Sequence, residues 1–219
     1  MKSTMKSFAI ILLIGTLMVS CSSKEKEEDF WNWFSSNQER IYKFENNQEE
    51  IFDELQGKLT EIDSNLVFEF GEIQKDSTRE LIISADGIVA SFPAVIKLVE
   101  KAPKFKKLQI KAFRQRNSGD DFRIVYDDSL KIAYDDIYFR PTKNSDKLDI
   151  ELNIRNYRES ADMNNATYIL LDGLIGEYDM ETKIGGIKWK KLEETKKDSL
   201  YKIIQLRKVV DDLKINNGM

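Results

Sequence analysis

The side chains that could do chemistry in this chain are mainly carboxylates. The sequence contains no histidine, and its single cysteine is Cys21. A Ser-His-Asp or Cys-His nucleophile therefore lacks its base, and an ordinary zinc site lacks imidazole and thiolate ligands. A disulfide within the chain is excluded for the same reason. Any catalysis must use carboxylates, lysine, tyrosine, serine or threonine.

Acidic residues alternate with glycines in the stretch LLDGLIGEYDMETKIGGIKW. Its candidates for a polar site are Asp172, Glu177 and Asp179. Paired carboxylates can act as general acid and general base when their surroundings separate their pKa values. The glycines also have a structural explanation, since glycine ends helices and bends strands. The sequence leaves both interpretations open, because it does not show whether these acids converge.

A second candidate segment is ISADGI, where Ser84 and Asp86 stand between a predicted strand and a predicted helix. The two side chains could contribute to a polar pocket. Alternatively, Asp86 could cap the helix beside a glycine turn. We group both residues with the three acids above as one speculative polar site, for which no catalytic residue is assigned.

Four further acids lie near a predicted turn in YDDSLKIAYDD. Calcium prefers oxygen ligands, so a cluster of carboxylates could bind it. The spacing differs from that of an EF-hand loop, and the paired acids fall at predicted strand ends. Solvated hairpin acids are therefore the preferred interpretation, and the sequence predicts neither a metal site nor a cofactor. The residues concerned are Asp127, Asp128, Asp135 and Asp136.

Hydrophobic periodicity predicts the elements that must position these acids. Apolar residues at helical spacing predict a helical region from Phe30 to Ile62, and a β-hairpin follows in NLVFEFGEIQKDSTRELIIS. The segment SFPAVIKLVEKAP carries one apolar stripe and predicts a second helix. Strict alternation in DKLDIELNIRNY predicts a strand with one covered face, which favours an antiparallel sheet.

The later segments complete an α-ββ-α-ββββ-α-β-α order. A helix is predicted from about Ala166 to Leu174, a strand in TKIGGIKWKKL, and a last helix that begins near Asp198 or Ser199. Consecutive strands with grouped helices indicate an α+β fold, in which helices pack on one face of a mostly antiparallel sheet. No internal repeat or second linker interrupts this order. We therefore predict a single domain over residues 30–219.

The N-terminus has the pattern of an export signal. Two lysines precede the apolar run FAIILLIGTLMV, which is too short to span a bilayer that needs about 20 helical residues. The exit LMVSC resembles a bacterial lipobox, which implies a signal peptide over residues 1–20 and lipidation of Cys21. Residues 21–29 would then be a lipidated cysteine with a flexible charged tether. Ser22 after the cysteine resembles lipoproteins sorted to the outer membrane.

Several blocks of the mature chain resemble a family of uncharacterised bacterial proteins. They are FWNWF, ELIISADGI and LLDGLIGEYDMETKIG, together with shorter blocks between them, and the resemblance spans about residues 30–192. The resemblance implies one compact domain. It implies no activity and no catalytic residue.

Composition and charge restrict the function further. Hydrophobic residues make up 41% and aromatic residues 11% of the chain, which argues against disorder. The net charge is −4 and there is no long basic block, so nucleic acid is not an expected partner. We predict a lipid-anchored envelope protein that binds an envelope protein, a glycan or a small molecule. The alternatives are a carboxylate-dependent hydrolase of envelope polymers and an immunity lipoprotein against a toxin.

Overall fold

The computed structural model describes residues 25–126 and 130–216, which form one α+β domain. These residues contain six α-helices and nine strands. The helices are α1 Lys26–Tyr42, α2 Gln48–Thr60, α3 Phe92–Glu100, α4 Ala161–Ile175, α5 Glu177–Lys183 and α6 Leu206–Asn216. The strands are β1 Val67–Phe70, β2 Arg79–Ser84, β3 Leu108–Ala112, β4 Arg123–Tyr126, β5 Leu130–Ala133, β6 Ile137–Asn144, β7 Lys147–Ile154, β8 Ile184–Lys191 and β9 Tyr201–Lys202.

The first half of the domain is a three-stranded sheet covered on one face by helices. Its strand order is β1-β2-β3, with β1 antiparallel and β3 parallel to β2. Leu81 and Ile83 of β2 are fully buried in one apolar cluster with residues of α1, α2 and α3. Because side chains alternate along a strand, Glu80, Ile82 and Ser84 point to the other face of the sheet. That second face contributes to the site described below.

The second half is a four-stranded sheet with the order β8-β7-β6-β9, and it has its own apolar cluster. The alternating residues predicted to face the core along β7 are all buried, from Leu148 to Ile154. Residues of α4, α5 and α6 complete this cluster. The hairpin of β4 and β5 forms a separate two-stranded sheet, from which Ile132 also joins the cluster.

The predicted α+β class is confirmed, since four of the six strand pairings are antiparallel. The two parallel pairings are β2 with β3 and β7 with β8. In each case the chain crosses between the two strands through helices, α3 in the first and α4 with α5 in the second. Parallel neighbours need such a crossover, because a tight turn joins only antiparallel strands.

The folded domain begins earlier than predicted. Helix α1 starts at Lys26, inside the segment 21–29 that was expected to be a flexible tether. Glu27 is 6% exposed, and its carboxylate forms ion pairs with Lys97 and Lys101 near the end of α3. Charged composition suggested a solvated linker, but these distant lysines compensate the acids and hold the first turn in place.

Two predicted helix boundaries were also wrong. Helix α4 begins at Ala161 rather than near Ala166, because the Ser160 side chain caps it by accepting a hydrogen bond from the Met163 N–H at 3.2 Å. The last helix begins at Leu206 rather than near residue 198. The preceding residues form a 3₁₀-helix and then strand β9, which pairs with β6 and takes the chain out of helical geometry.

The predicted signal peptide and Cys21 lie outside the described residues, as do Asp127 and Asp128. Within residues 25–126 and 130–216, no helix has both the length and the apolar character needed to cross a membrane.

Candidate functional site

The two halves of the domain meet at the segment after β3, residues 113–117. Phe113 has φ +62°, a left-handed conformation that is rare for a bulky side chain. Its ring is 4% exposed and packs against Phe92 at 4.5 Å and Tyr178 at 5.3 Å between centroids. This packing stabilises the unusual backbone, which turns the chain so that the Arg114 N–H points at Glu177.

Glu177, the first residue of α5, is a buried carboxylate that joins the two halves. It is 1% exposed. Its Oε1 accepts hydrogen bonds from the Ser84 hydroxyl at 2.5 Å and the Gly87 N–H at 3.2 Å. Its Oε2 accepts from Arg114, through the backbone N–H at 3.1 Å and Nη1 at 3.4 Å. Both oxygens of the Glu177 carboxylate therefore have hydrogen-bond donors, and these donors offset the free-energy cost of burying its charge.

Arg114 is the cation that connects this buried carboxylate to the surface. Besides Glu177, its guanidinium pairs with Glu69 at 2.9 Å and with Asp86. Burial lowers the pKa of Arg114, but the nearby carboxylates of Glu69, Glu177 and Asp86 outweigh burial and raise it above its usual value. Arg114 thus remains charged and already has three anionic partners.

The C-terminal end of α4 is fixed against the same segment. The last carbonyls of a helix have no partners within the helix and need donors from elsewhere. The Gly173 carbonyl accepts from the Asn117 N–H at 2.7 Å, and the Ile175 carbonyl accepts from Arg116 Nε at 2.8 Å. Arg207 Nε of α6 donates to the Leu174 carbonyl at 3.1 Å. Two guanidiniums at the negative end of the helix dipole stabilise this junction further.

A cleft of about 480 Å³ opens above this junction. Its floor is the outer face of the first sheet, and its walls are α4 and the segment around Arg114. Tyr168 and Ile169 of α4 are 40% and 43% exposed and form part of its apolar wall. The principal lining side chains are Glu69, Glu80, Ile82, Asp86, Arg114, Arg116, Phe122, Tyr168, Ile169 and Asp172.

Among the carboxylates that line this cleft, Asp172 has the most strongly shifted pKa. Burial, reinforced by the negative charges of Glu177, Glu181 and Asp86, raises the pKa of Asp172 to about 6, although Arg114 acts in the opposite direction. Neither Asp172 nor Glu80 has a hydrogen bond or ion pair to its side chain from any residue in the described ranges. The cleft thus holds two carboxylates that are open to a ligand.

Asp179 lies in a different place. It lines a neighbouring cleft of about 380 Å³, where it pairs with Arg116 at 2.8 Å and Lys214 at 2.6 Å. The three acids predicted from one stretch of sequence therefore do not share a cleft. Asp172 faces the larger cleft, Glu177 is buried with its oxygens occupied, and Asp179 is paired in the smaller cleft.

The predicted polar residues Ser84 and Asp86 do come together with Glu177. Ser84 donates to Glu177 and accepts from the Asp86 N–H at 2.9 Å, while the Asp86 carboxylate pairs with Arg114 and lines the larger cleft. Asp86 does not cap a helix. The φ of Asp86 is +49°, so the residue lies in a tight turn, and this turn points the Gly87 N–H at the Glu177 carboxylate.

Sequence reasoning missed Arg114, Arg116 and Glu80. The two arginines alternate in the segment AFRQR at the end of β3, and this pattern was the available signal. A strand end with two cations indicates a place where acids from other elements can gather. Glu80 gave no signal of its own, since a single acid on the wet face of a strand is common.

The structure also places two of the acids considered for calcium, Asp135 and Asp136, and Asp135 is exposed to solvent. Asp136 accepts hydrogen bonds from the Ala133 N–H and from Arg155 Nη1, each at 3.1 Å, so it stabilises a turn. In the part of the chain that the structure describes, no group of three histidine, cysteine, aspartate or glutamate side chains could hold a metal ion.

Comparisons with protein-family models, with curated proteins and with solved structures find no match to this chain.

Proposed function

We propose that this chain is a lipid-anchored binding protein of the bacterial envelope and that its partner binds in the larger cleft. The ligand carries a cationic group, such as an amine, next to an apolar surface. It belongs to an envelope protein or a glycan. The observation that carries this proposal is the cleft itself, in which the open carboxylates of Asp172 and Glu80 lie beside Ile82 and Tyr168.

The charges in the cleft favour a cation over an anion. Arg114 and Arg116 are the cationic side chains that line it, and both already pair with carboxylates of the protein. An anionic ligand would have to compete with those pairs. An amine, in contrast, would find two carboxylates without partners, in a partly buried place where charged hydrogen bonds are worth about 1.5 to 3 kcal/mol each.

The apolar wall supports the same ligand class. Concave sites that combine apolar side chains with a few polar groups are typical of small-molecule and side-chain recognition. Tyr168 and Ile169 remain substantially exposed, so a ligand that covers them removes apolar surface from water. A lysine side chain or an amine-bearing sugar has both the charge and the apolar part.

A titration with benzylamine tests the cleft, with benzyl alcohol as the uncharged control. We expect benzylamine to perturb the NMR signals of Tyr168 and Ile169 in a saturable way, with the alcohol binding at least about tenfold more weakly, a difference of about 1.4 kcal/mol. Asp172→Asn should reduce benzylamine affinity by a similar factor. Asp53→Asn, an exposed acid on α2, is the matched control and should leave the affinity unchanged.

The pH dependence sharpens the test. The amine stays protonated across the range, whereas Asp172 loses its charge as the pH falls through about 6. Benzylamine affinity should therefore fall between pH 7 and pH 5 in the wild type and stay flat in Asp172→Asn. Equal binding of amine and alcohol, or a variant with unchanged affinity, would contradict a carboxylate-based site.

The anchor is supported by the N-terminal sequence, in which Cys21 follows a short apolar run preceded by lysines. Several acyl chains give stable attachment, whereas a single chain binds a bilayer only marginally. Intact mass spectrometry of the protein purified from membranes tests this part. The expected mass is that of residues 21–219 with acyl modification, and an unmodified thiol would contradict it.

The raised pKa of Asp172 also favours a second function, hydrolysis of an envelope polymer with Asp172 as general acid. Glu177 and Asp179 would not supply the second carboxylate, because neither lines that cleft; Glu80 or Asp86 would. Release of soluble fragments from purified peptidoglycan, lost in Asp172→Asn and in Glu80→Gln, would support hydrolysis over binding.

A further inference from the structure

The larger cleft carries an excess of negative charge. The charged residues that line it are Arg114, Arg116, Glu69, Glu80, Asp86 and Asp172. Arg116 is paired with two carboxylates that lie outside the cleft, and Arg114 is shared among three carboxylates. Lys111 of β3 lies on the same face of the first sheet as Glu80 but is not part of the lining. The arginine charges are thus already compensated, and Asp172 and Glu80 remain without a counter-charge.

The two open acids lie on different sides of the cleft. Glu80 is on its floor, on β2, and Asp172 is on its wall, on α4. The charges that shift the pKa of Asp172 most strongly belong to Arg114 and to three acids, and Glu80 is not one of them. Because Coulomb interactions weaken with distance, this indicates that the two open carboxylates lie apart. One ammonium group therefore cannot pair with both.

Apolar side chains lie beside each open acid. Side chains alternate along a strand, so Ile82 shares its face of the sheet with Glu80. Residues three and four positions apart share a helix face, so Tyr168 and Ile169 lie beside Asp172. The cleft volume of about 480 Å³ is within the range of about 300 to 1,000 Å³ that is typical of ligand sites. The cleft therefore has room for a ligand with two charged ends and apolar parts between them.

We propose that the larger cleft binds a protein segment with two lysines, one ammonium group on Asp172 and the other on Glu80. The proposal deepens the binding function proposed above and rests on it. Lysine covers apolar surface with its alkyl stem while its charged end stays on a polar partner. One stem lies along Tyr168 and Ile169, and the other lies along Ile82.

The lining favours lysine over an amine-bearing sugar. The hydroxyl groups of a sugar lose their hydrogen bonds to water in a cleft and need partners there. The neutral amide side chains in the lining are those of Gln115 and Asn117, and the Gln115 amide already donates to the Ala112 carbonyl at 2.8 Å. The alkyl stem of lysine has no such requirement.

Two small amines of similar shape test whether the cleft takes two charges. They are 1,4-bis(aminomethyl)benzene and 4-methylbenzylamine, which differ by one amine. Isothermal titration calorimetry uses the full-length protein in a neutral detergent at pH 7.5 and low salt, where Asp172 is charged. We expect the diamine to bind about tenfold more tightly, a gain that exceeds the statistical advantage of two equivalent amines. The gain should shrink at high salt, because salt screens the second pair.

Glu80→Gln tests the assignment of the second charge. In this variant the diamine should bind only as tightly as 4-methylbenzylamine does, whereas the affinity of 4-methylbenzylamine should stay close to its wild-type value. Retained binding of the monoamine also shows that the variant is folded. Glu49→Gln is the matched control and should keep the full gain, because Glu49 is an exposed acid on α2, which packs against the other face of the first sheet.

A peptide and a sugar then distinguish the source of the two amines. The probes are an acetylated and amidated Lys-Ala-Lys peptide, the same peptide with norleucine in place of one lysine, and the disaccharide of glucosamine. We expect the peptide with two lysines to bind about tenfold more tightly than the norleucine peptide. It should also bind more tightly than the disaccharide. Tighter binding of the disaccharide would overturn the protein segment as the ligand.

The outcomes separate this inference from the proposed function. If neither the diamine nor the monoamine binds, both are overturned. If 4-methylbenzylamine binds and the diamine binds no more tightly, the cleft takes one charge and only the inference is overturned. If the gain of the diamine persists in Glu80→Gln, the role of Glu80 as the second partner is wrong.

Discussion

Glu177 and Asp172 are two carboxylates on consecutive helices with opposite environments. Glu177 opens α5 and accepts hydrogen bonds from Ser84, Gly87 and Arg114. Asp172 lies on the last turns of α4, faces the larger cleft, and has no hydrogen bond from any described residue. The chain thus buries one acid with a full set of donors and leaves its neighbour partly buried without any.

The difference distinguishes an acid that holds the fold together from an acid that is available for binding. Hydrogen bonds to the charged form compensate for burial, whereas burial without donors disfavours the charge and raises the pKa, as it does for Asp172. Perturbed acids in clefts are enriched at functional sites. Removal of Glu177 should therefore damage stability, and removal of the Asp172 charge should improve it.

The largest expected effect is that of Glu177→Ala. The substitution leaves the buried Ser84 hydroxyl and the half-buried N–H groups of Gly87 and Arg114 without their acceptor, and it removes the carboxylate that joins the two halves of the domain. Breaking a buried charged network in this way costs about 3 to 5 kcal/mol. Urea unfolding followed by circular dichroism should show a lower midpoint.

The control for that variant is Glu193→Ala. Glu193 is exposed and pairs with Lys196 one turn away, so its loss should change the free energy of unfolding by less than about 0.5 kcal/mol. A loss below about 1 kcal/mol in Glu177→Ala would mean that the buried network does not join the two halves as described.

Asp172→Asn should act in the opposite direction, and its effect should depend on pH. The folded-state pKa of about 6 is above the unfolded value of about 3.9, so the folded protein binds this proton more tightly. Wild-type stability therefore decreases as the pH rises from about 4 to about 6, and the penalty is fully present above that range. At pH 7 to 8 the variant should be more stable by on the order of 2 kcal/mol.

Unfolding curves at a series of pH values check this prediction. The free energies of unfolding of the two proteins should converge below about pH 4, where the aspartate is protonated in both states. Asp53→Asn serves again as the control and should run parallel to the wild type. A variant that is destabilised at pH 8 would show that the Asp172 charge has a partner that the folded structure requires.

The sequence could predict the local elements of this fold, but it could not predict the contacts between residues far apart in the chain. The alternation along β7 and the apolar stripe of α3 are local patterns, and both elements formed where they were predicted. The network around Glu177 is non-local. Ser84 and Arg114 are 93 and 63 residues away from Glu177, so no spacing in the sequence reveals their contact.

The start of α1 is a second place where contacts with distant residues decide the local structure. Composition indicated a solvated tether through residue 29, because charged residues without apolar neighbours do not bury themselves. The partners that order the first turn, Lys97 and Lys101, are about 70 residues further along the chain. Likewise, the sequence named Asp172, Glu177 and Asp179 together but could not show that they point to different places.

Ser84→Ala should have the smallest of the three effects and tests the network at a single donor. It removes one hydrogen bond to the Glu177 carboxylate and leaves the Asp86 N–H without its acceptor. We expect a loss of about 1.5 kcal/mol in the free energy of unfolding. Ser36→Ala is the control, because Ser36 lies on the exposed side of α1 and its side chain donates only to the Asn32 carbonyl. Alanine at this position should leave the free energy of unfolding unchanged or raise it by about 0.5 kcal/mol.

In a Glu177→Ala background the Ser84 substitution should reduce the free energy of unfolding by clearly less, since the charged acceptor of Ser84 is already gone. Additive losses in that double-mutant cycle would show that Ser84 and Glu177 stabilise the domain independently, and the description of Glu177 as the shared acceptor would then be wrong.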